Sequence, residues 1–542
     1  MPTNAELIAE WSDAPAPLLS VLHAFHDRDG FISENSLRDI AVELRIPLAE
    51  LFGTVTFYHH FAREEPGQAA PRVCTGPVCR LQGGLEIFDE LKSEGATEMP
   101  CAGRCDDCVP VLKGHQVFTG KDVHTLSVQP TPLPPPYLGD SEECIFADIR
   151  EPSRNTLEGY KCTGGYDALK HAMTSLSSEE VIQIIKRSQL AGRGGAGFPT
   201  GMKWESVLNA SGDPKTIVCN ADEGEPGCFK DRVILDYAPH SIIEGMTLAA
   251  YATGATRGFI YLRYEYPETY KILDNAIIEA EAEGLIGDNI LGTEFTFHIY
   301  IRRGAGAYVC GEEGSLLNSL EGKHPFPRNR PPYPVTHGFE NLPTAVNNVE
   351  TLAATVQIIR HGADWYKNLS YDKNLAGTKI ISLSGDIQRP GNYEVPFGLP
   401  LKTLLYDWAG GALDGRSIQA ITTAGLSGGF IGETDFDITI DEPSFQKIGA
   451  MLGAAGIMVF DDTRDMVDVA RNAMGFFAEE SCGKCFPCRI GTHRLTELLS
   501  EPLTQESRDL IVEIGSVMKA TSACGLGTAA PNITDSLLKL CL

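Results

Sequence analysis

The stretch LAGRGGAGFPTGMKW, residues 190–204, decides which kind of nucleotide-binding fold this chain can have. Gly192, Gly194 and Gly197 satisfy the G-x-G-x-x-G pattern of a Rossmann dinucleotide-binding turn. The pattern is weak support by itself in a Gly-rich chain, so its context must decide. In a Rossmann fold the glycines follow a strand and open a helix.

The segment before these glycines, SSEEVIQIIKRSQLAG, has the pattern of a helix. Val181 and Ile185 are apolar at helical spacing, and Ser177 or Ser178 followed by Glu180 is typical of an N-cap. The Rossmann context therefore fails. A Gly-rich loop can still present bare N–H groups to a phosphate, so we predict a nucleotide-phosphate loop in another kind of fold.

The composition of the chain excludes several classes of protein. The 542 residues suffice for three to five domains, and 43% hydrophobic with 22% charged residues is ordinary for a globular protein. The formal net charge of −27 argues against nucleic acid and anionic membranes as partners. The N-terminal residues lack a signal-peptide pattern, and no apolar run reaches about 18 residues, so we expect a cytoplasmic protein without direct membrane insertion.

The cysteines form two groups, and the tighter one lies near the C-terminus. In ESCGKCFPCRIG, Cys482, Cys485 and Cys488 form C-x2-C-x2-C, and Cys524 can supply a fourth thiolate. Three close cysteines with a distant fourth are typical of a [4Fe–4S] cluster. Zinc with four thiolate ligands, or no metal, remains an alternative.

The second group consists of two pairs, Cys74 with Cys79 and Cys101 with Cys105. Two pairs suit a [2Fe–2S] cluster, with two thiolates on each iron, although zinc remains possible and Cys108 also forms a C-x2-C with Cys105. The other cysteines are isolated, and for these we expect buried or surface thiols: Cys108, Cys144, Cys162, Cys219, Cys228, Cys310 and Cys541.

An acidic turn, VCNADEGEPGCFKDR, follows a strand-like run. Its side chains Asn220, Asp222, Glu223 and Glu225 can accept hydrogen bonds from sugar hydroxyls or from a carboxamide. A solvated acidic turn is the alternative. By contrast, the first Gly-rich loop contains positively charged residues, Arg193 and Lys203.

A second Gly-rich loop, GAGAYVCGEEGSLLNSLEG, enters a helix whose N-terminus can hold a phosphate. Glu312 and Glu313 would repel that phosphate, so we expect them to face sugars or ring nitrogens, and Tyr308 can stack on a flat ring. In VNNVETL, Asn347 and Asn348 offer amide donors and acceptors, although such a pair more often forms a turn or cap.

Two phosphate-binding loops and two cluster motifs in one chain point to electron transfer. A flavin accepts a hydride as an electron pair and releases the electrons one at a time, and iron–sulfur clusters accept single electrons. The two kinds of motif therefore complement each other in one chain. Two other classes of protein remain open: a cluster-bearing scaffold with a degenerate flavin site, and a zinc-binding interaction protein.

Long motifs of this chain resemble two subunits of respiratory complex I. GRGGAGFPTGMKW, NADEGEPGCFKDR, GAGAYVCGEE, NNVETL and ESCGKCFPCR resemble its NADH-binding flavoprotein subunit. LHAFHDRDGFISENSLRDIA, FYHHF, CTGPVCRLQGG and CAGRCDD resemble its thioredoxin-like [2Fe–2S] partner subunit. The two are fused here, which is more similar to the diaphorase subunits of soluble NAD-linked formate dehydrogenases and NAD-reducing hydrogenases.

The resemblance implies an α/β multidomain protein with a non-Rossmann FMN and NADH domain. The implied units are a helical segment, a thioredoxin-like [2Fe–2S] domain, a linker, the FMN/NADH-binding α/β domain, a ubiquitin-like β-grasp domain and a C-terminal helical bundle with the [4Fe–4S] cluster. Their respective ranges are 1–66, 67–128, 129–154, 155–370, 376–455 and 460–542.

The resemblance also implies the residues around the cofactors. Phe198, Glu225, Tyr308 and Glu313 would line the NADH side, with Glu225 near the nicotinamide as the catalytic residue, and Phe198 and Tyr333 could stack on adenine. Those that would surround FMN are Gly192, Arg193, Gly194, Gly195, Lys203, Asn220, Asp222, Glu223, Gly311, Glu312, Asn347 and Asn348.

Three positions depart from the family pattern. Cys228 stands where Thr or Ser is usual, Arg330 stands where Lys is usual, and Cys108 is an additional thiol beside the [2Fe–2S] motif. The first departure could alter redox behaviour, and the second affects an expected NADH contact.

The function that the resemblance implies is an NAD(H)-reactive diaphorase. It would exchange hydride between NAD(H) and FMN and pass single electrons through both clusters to or from a catalytic partner subunit. We expect that partner to be the molybdopterin or tungsten α subunit of a formate dehydrogenase. The alternatives are the subunits of an NAD-reducing hydrogenase or of complex I.

Overall fold

Helices at the N-terminus cover one face of a central sheet. The computed structural model describes residues 1–540, and it begins with helices α1 (Asn4–Ser12), α2 (Leu18–Asp29), α3 (Glu34–Glu43) and α4 (Leu48–Phe57). Leu22 and Phe25 of α2 are fully buried, in a core that also contains Val218 and Phe259 from the α/β unit. This segment therefore shares its hydrophobic core with the neighbouring unit.

A small sheet with two short helices carries the first four predicted cluster ligands. Its elements are β1 (Arg72–Cys74), α5 (Pro77–Leu81), α6 (Gly84–Leu91), β2 (Thr97–Met99), β3 (Pro110–Lys113) and β4 (Gln116–Thr119). The strand order is β2-β1-β3-β4, with β1 parallel to β2 and the other pairs antiparallel. Strands β3 and β4 form a hairpin.

Residues 129–154, predicted to be a linker, consist of two different parts. Residues 129–138 contain no helix or strand, in agreement with the Pro-rich sequence. By contrast, Cys144 and Phe146 are buried, and their N–H groups donate to the Glu394 carboxylate at 2.8 and 2.7 Å. The linker prediction was wrong for this second part, because its apolar side chains belong to the core of the α/β unit.

The α/β unit has a parallel sheet in the order β7-β6-β5-β8. Its strands are β5 (Lys215–Ala221), β6 (Ala255–Leu262), β7 (His298–Arg303) and β8 (Thr344–Asn348). Its helices are α7 (Leu157–Cys162), α8 (Asp167–Ser175), α9 (Ser178–Ser188), α10 (Thr200–Asn209), α11 (Lys230–Tyr237), α12 (Pro239–Thr253), α13 (Pro267–Ala282), α14 (Glu313–Leu320), α15 (Pro334–His337), α16 (Val349–His361) and α17 (Ala363–Asn368).

The next unit covers the range predicted to be ubiquitin-like and is called the ubiquitin-like unit below. It has a mixed sheet in the order β10-β9-β13-β11-β12, with β9 parallel to β13. Its elements are β9 (Thr378–Gly385), β10 (Gly391–Pro396), β11 (Ile418–Thr422), β12 (Phe430–Gly432), α18 (Glu442–Lys447) and β13 (Gly456–Asp461). The central strand β13 extends beyond the predicted range 376–455. The sheet therefore ends at residue 461, later than the sequence suggested.

Helices return at the C-terminus and pack around the second cysteine group. They are α19 (Met466–Glu479), α20 (Phe486–Leu498), α21 (Gln505–Thr521), α22 (Gly525–Ala529) and α23 (Pro531–Leu540). Across residues 1–540, none of the helices is both long and apolar enough to cross a bilayer.

Candidate functional site

The carboxyl ends of two parallel strands form the floor of the site. Strands β5 and β8 are neighbours, and their register pairs Asn220 with Asn348 and Cys219 with Asn347. Parallel α/β sheets bind ligands outside these ends of their strands, so the sheet itself brings the predicted amides together. The Asn220 amide donates to the Gly311 carbonyl at 2.9 Å, which ties the second Gly-rich loop to the same edge.

The first Gly-rich loop lies between two helices. Ser177 and Glu180 form the capping box that begins α9, so a helix precedes the glycines as predicted. The loop then closes on itself, because the Gly192 N–H donates to the Phe198 carbonyl at 2.9 Å. A Cβ added at Gly194 would lie 3.1 Å from the Asn348 side chain. Small residues therefore allow the loop to approach the strand ends closely.

A cavity of about 960 Å³ opens between these elements. Its volume is in the range of cofactor and ligand pockets. Glycine backbones, amides and charged side chains on its walls give the donor set that a phosphorylated, hydroxyl-rich flavin needs. Its lining includes these predicted residues: Gly192, Gly194, Phe198, Lys203, Asn220, Gly311, Glu312, Glu313, Tyr333, Asn347 and Asn348.

The charged groups of the cavity are paired with one another. Arg330 lies 2.5 Å from Glu312 and 2.9 Å from Glu313. Lys203 donates to the Val346 carbonyl at 2.8 Å and lies 3.7 Å from Glu313. Burial lowers the pKa of Lys203, which Glu313 partly opposes. An entering anion must therefore compete with these carboxylates for the two cations.

Two aromatic side chains stand on the rim of the cavity. Phe198 is 48% exposed and Tyr333 is 55% exposed, although large aromatic side chains are usually buried. Both line the cavity, so flat faces are available there for a base to stack upon.

Two predicted FMN residues have side chains committed to other contacts. The Arg193 guanidinium donates to the Tyr366 hydroxyl at 2.6 Å and lies over the Phe397 ring. The Glu223 carboxylate accepts the Asp231 N–H at 2.9 Å at the start of α11, and burial raises its pKa to about 7. The family resemblance implied both residues for the FMN site, whereas their side chains contact other parts of the fold.

Asp222 and Gly195 also lie away from the lining of the main cavity. Asp222 lines a smaller cavity, shared with Cys101 and His59. Burial raises the pKa of Asp222 to about 8, and its Oδ2 has no hydrogen-bond partner within residues 1–540. A Cβ at Gly195 would lie 3.7 Å from the Ala454 nitrogen, so this glycine faces the ubiquitin-like unit.

Glu225 is held by groups from two distant segments. Its carboxylate accepts hydrogen bonds from the Tyr308 hydroxyl and, at 2.7 Å, from the Ser427 hydroxyl. The Ser427 N–H adds a third bond at 3.0 Å. Burial raises the pKa of Glu225, whereas these donors oppose that shift. Sequence reasoning missed Ser427, and the only signal was its Gly-rich context, GLSGG.

The first cysteine group is buried between the small sheet and the α/β unit. Cys74 lies near both Cys79 and Cys101, and Cys101 lies near Cys105. Four clustered thiols fit the two-plus-two donor set of a [2Fe–2S] cluster. The additional thiol, Cys108, contacts Cys79 and lies 3.5 Å from the Cys105 carbonyl.

The second cysteine group adjoins the main cavity. Cys485 immediately precedes α20, Cys488 lies in its first turn, and Cys524 immediately precedes α22. Cys482, Cys485 and Cys524 all lie near Cys488, which fits the four-thiolate donor set of a [4Fe–4S] cluster. Cys524 also lines the cavity, so the two candidate cofactor sites share a wall.

The isolated cysteines are mostly buried thiols, as expected. Cys228 lies 3.9 Å from the Ala454 carbonyl, behind the acidic turn. Cys162 is exposed on α7, and Cys541 lies outside the described residues. The remaining buried members are Cys144, Cys219 and Cys310.

Three family models match this chain. Residues 4–112 match the thioredoxin-like [2Fe–2S] ferredoxin family, and residues 185–357 match the Nuo51 FMN-binding domain. Residues 468–541 match the iron–sulfur binding region of NADH-ubiquinone oxidoreductase-F. These matches confirm the predicted FMN, [2Fe–2S] and [4Fe–4S] regions.

Similar proteins belong to complex I and to hydrogenases. The second NADH-quinone oxidoreductase F subunit of Rhizobium meliloti is 45% identical over 65% of this chain and 83% of its own length. The NAD-reducing hydrogenase HoxS subunit alpha of Cupriavidus necator is 34% identical over 95% of this chain and 89% of its own length. The NADP-reducing hydrogenase subunit HndC of Solidesulfovibrio fructosivorans is 43% identical over 72% of this chain and 79% of its own length.

A solved structure has the same architecture along nearly the whole chain. The crystal structure of an NAD+-reducing [NiFe]-hydrogenase in the H2-reduced state superimposes with a TM-score of 0.82 at 29% identity, covering 97% of this chain and 91% of that one. The chain therefore belongs to the family of NADH-dehydrogenase-type oxidoreductase subunits with FMN and iron–sulfur clusters that includes the F subunits of NADH-quinone oxidoreductases and the α subunit of NAD-reducing hydrogenase.

Proposed function

We propose that the main cavity binds FMN and NAD(H) together and that electrons leave it through the adjoining cysteine group. The observation that carries this proposal is the cavity itself. It joins both Gly-rich loops, the amides at the strand ends and the rim aromatics, and Cys524 lies on its wall. When bound, FMN would accept hydride as an electron pair and release single electrons.

The residues of this chain have different parts in the reaction. The strand ends that carry Asn220, Asn347 and Asn348 would hold the flavin, and the N–H groups of the Gly-rich loop that have no internal partner would face its phosphate. Phe198 and Tyr333 stack on the adenine of the dinucleotide. No side chain needs to move a proton in a hydride transfer, so orientation is the main contribution of the protein.

In this proposal Glu225, which is not among the lining residues of the cavity, sets the charge beside the nicotinamide, as the family resemblance implies. Its three hydrogen bonds favour the ionised carboxylate, and a buried carboxylate favours the cationic ring of NAD+ over the neutral ring of NADH. In this proposal Glu225 orients the nicotinamide and helps to balance the two oxidation states.

The partner that we propose is the catalytic subunit of a soluble NAD-dependent formate dehydrogenase. The fusion of the [2Fe–2S] and flavoprotein parts in one chain favours such a complex, or a soluble hydrogenase, over complex I. A hydrogenase partner is the second candidate. It is favoured by the likeness to the NAD-reducing hydrogenase subunit of Cupriavidus necator, which extends over 95% of this chain.

Cofactor analysis of the anaerobically purified protein tests the core of this proposal. We expect one flavin and about six irons per chain, and EPR signals of reduced clusters after NADH is added. Stoichiometric zinc without iron would overturn the electron-transfer role. Flavin that NADH does not reduce would overturn the nucleotide site.

Isolation of the native complex tests the partner. Formate-dependent reduction of NAD+ by that complex would support a formate dehydrogenase. Hydrogen-dependent reduction would instead assign the chain to a hydrogenase.

A further inference from the structure

A buried network of charges lies beneath the cavity and joins two units of the protein. Lys379 on β9 lies within 2.9 Å of Glu350 on α16, and Lys230 on α11 lies 3.0 Å from the same carboxylate. Lys230 also lies 2.6 Å from Asp231. These four residues are at most 3% exposed.

The network contacts both the Gly-rich loop and the strand ends. The Lys379 ammonium donates to the Arg193 carbonyl at 2.8 Å, between Gly192 and Gly194. Asp231 accepts the Asn348 amide at 2.6 Å. Two walls of the cavity are thus held by one set of buried charges.

We infer that Lys379 is a positioning residue for the flavin loop, so that the ubiquitin-like unit completes a site built on the α/β unit. This inference rests on the proposed FMN site. The ammonium anchors the Arg193 carbonyl and so fixes the peptide plane that carries the Gly194 N–H, which in the proposed site is available to a phosphate. Lys379 itself lies outside the cavity lining.

The role of Lys379 can be tested by substitution, because the neighbouring charges remain paired without it. Burial lowers the pKa of Lys379 to about 8, although Glu350 opposes this effect. When Lys379 is replaced by Met, Glu350 still has Lys230 at 3.0 Å, so no buried charge loses its last partner. The replacement therefore removes the anchor of the loop and leaves a paired network.

The experiment measures the binding of FMN and of riboflavin to flavin-free protein by fluorescence quenching. We expect Lys379→Met to weaken FMN binding about tenfold, because FMN must then order a loop that the ammonium no longer anchors, and to weaken riboflavin binding much less. The melting temperature of the flavin-free variant reports any general damage. If this variant does not fold, the charge-neutral pair Lys379→Met with Glu350→Gln replaces it.

The control is Lys402→Met, in the same unit but 43% exposed and paired with Asp437. It should bind both flavins like the wild type. Unchanged FMN affinity in Lys379→Met, or equal losses for FMN and riboflavin, would overturn the positioning role while leaving the FMN site intact. A wild-type protein that binds no FMN would overturn the proposed function and this inference with it.

Discussion

At the scale of single residues, Glu225 depends on donors from segments distant in the chain. Replacing Tyr308 by Phe removes one hydroxyl donor, so the carboxylate is less favoured and the pKa of Glu225 should rise further. We expect the acidic limb of NADH oxidation against pH to move upward by about half to one pH unit. Steady-state rates measured from pH 5 to 9 check this.

Tyr406→Phe is the matched control for that change, because Tyr406 is 38% exposed on the ubiquitin-like unit. Its pH profile should equal that of the wild type. An unshifted acidic limb in Tyr308→Phe would show that the ionisation of Glu225 does not govern the rate.

Gly194 is expected to tolerate no side chain without a loss of flavin. The added Cβ would lie 3.1 Å from Asn348, so the loop must move by a few tenths of an ångström. We expect Gly194→Ala to bind FMN about fivefold more weakly, as for mild overpacking near 1 kcal/mol. Equilibrium titration of the flavin-free protein checks this.

The control is Gly53→Ala, since a Cβ at this helical glycine meets nothing within 4 Å. It should raise the free energy of unfolding by up to about 1 kcal/mol and leave FMN binding unchanged. Equal FMN affinities for both variants would contradict the close approach of loop and strand.

At the scale of elements, the beginnings of α20 and α22 deliver thiols from two sides. Cys524→Ser removes the thiol that comes from α22. We expect the iron content to fall by about four per chain, with the [2Fe–2S] signal retained. Iron analysis and EPR check this, and Cys162→Ser on the exposed surface of α7 should keep all of its iron. Full iron in Cys524→Ser would mean that another residue is the fourth ligand.

Local features could be predicted from the sequence, and tertiary ones could not. Helix α9 was predictable because its capping box and apolar spacing lie within a dozen residues. The cysteine groups were predictable because cysteines that are closely spaced in the sequence are typical of only a few kinds of metal centre. The orientations of the Arg193 and Glu223 side chains could not be predicted, because each is set by a hydrogen-bond partner from another segment of the chain.

Two boundaries were missed for the same reason. Strand β13 pairs with β9, about 75 residues earlier, and no local pattern contains that pairing. The buried part of the predicted linker is held by Glu394, about 250 residues away. Composition can indicate where one segment of the chain gives way to another. Which residues belong to a core depends on contacts between distant segments, which composition does not contain.

At the scale of the whole molecule, three buried histidines lie where the N-terminal helices meet the other units. His23, His26 and His60 are at most 3% exposed. Burial lowers the pKa of His26 to about 4, and it lowers those of His23 and His60 well below their usual value. All three are neutral in the folded protein at pH 7.

The unfolded chain binds protons at these histidines below about pH 6.5, whereas the folded chain does not. The contribution of these histidines to the free energy of unfolding is therefore complete above that pH. It should fall as the pH drops toward 4. We expect His26 alone to cause a loss of about 2 kcal/mol at pH 5, and His23 and His60 to add to it. Urea unfolding at pH 7 and pH 5 checks this.

His26→Gln should lose less stability between these pH values than the wild type, because one titrating group is gone. His124→Gln, at an exposed turn, is the control and should behave like the wild type. A wild-type protein that is equally stable at both pH values would contradict neutral burial of the triad.

The covalent joining of the [2Fe–2S] unit to the flavin unit has a consequence for dilute solutions. The units also meet through the buried pair of Arg232 and Asp106, at 2.7 Å. Two separate chains would come apart below their dissociation constant, whereas a tether gives the docked unit an effective concentration near the millimolar range. Cluster and flavin should therefore remain together at the nanomolar protein concentrations of a kinetic assay, with a specific activity that does not depend on enzyme concentration.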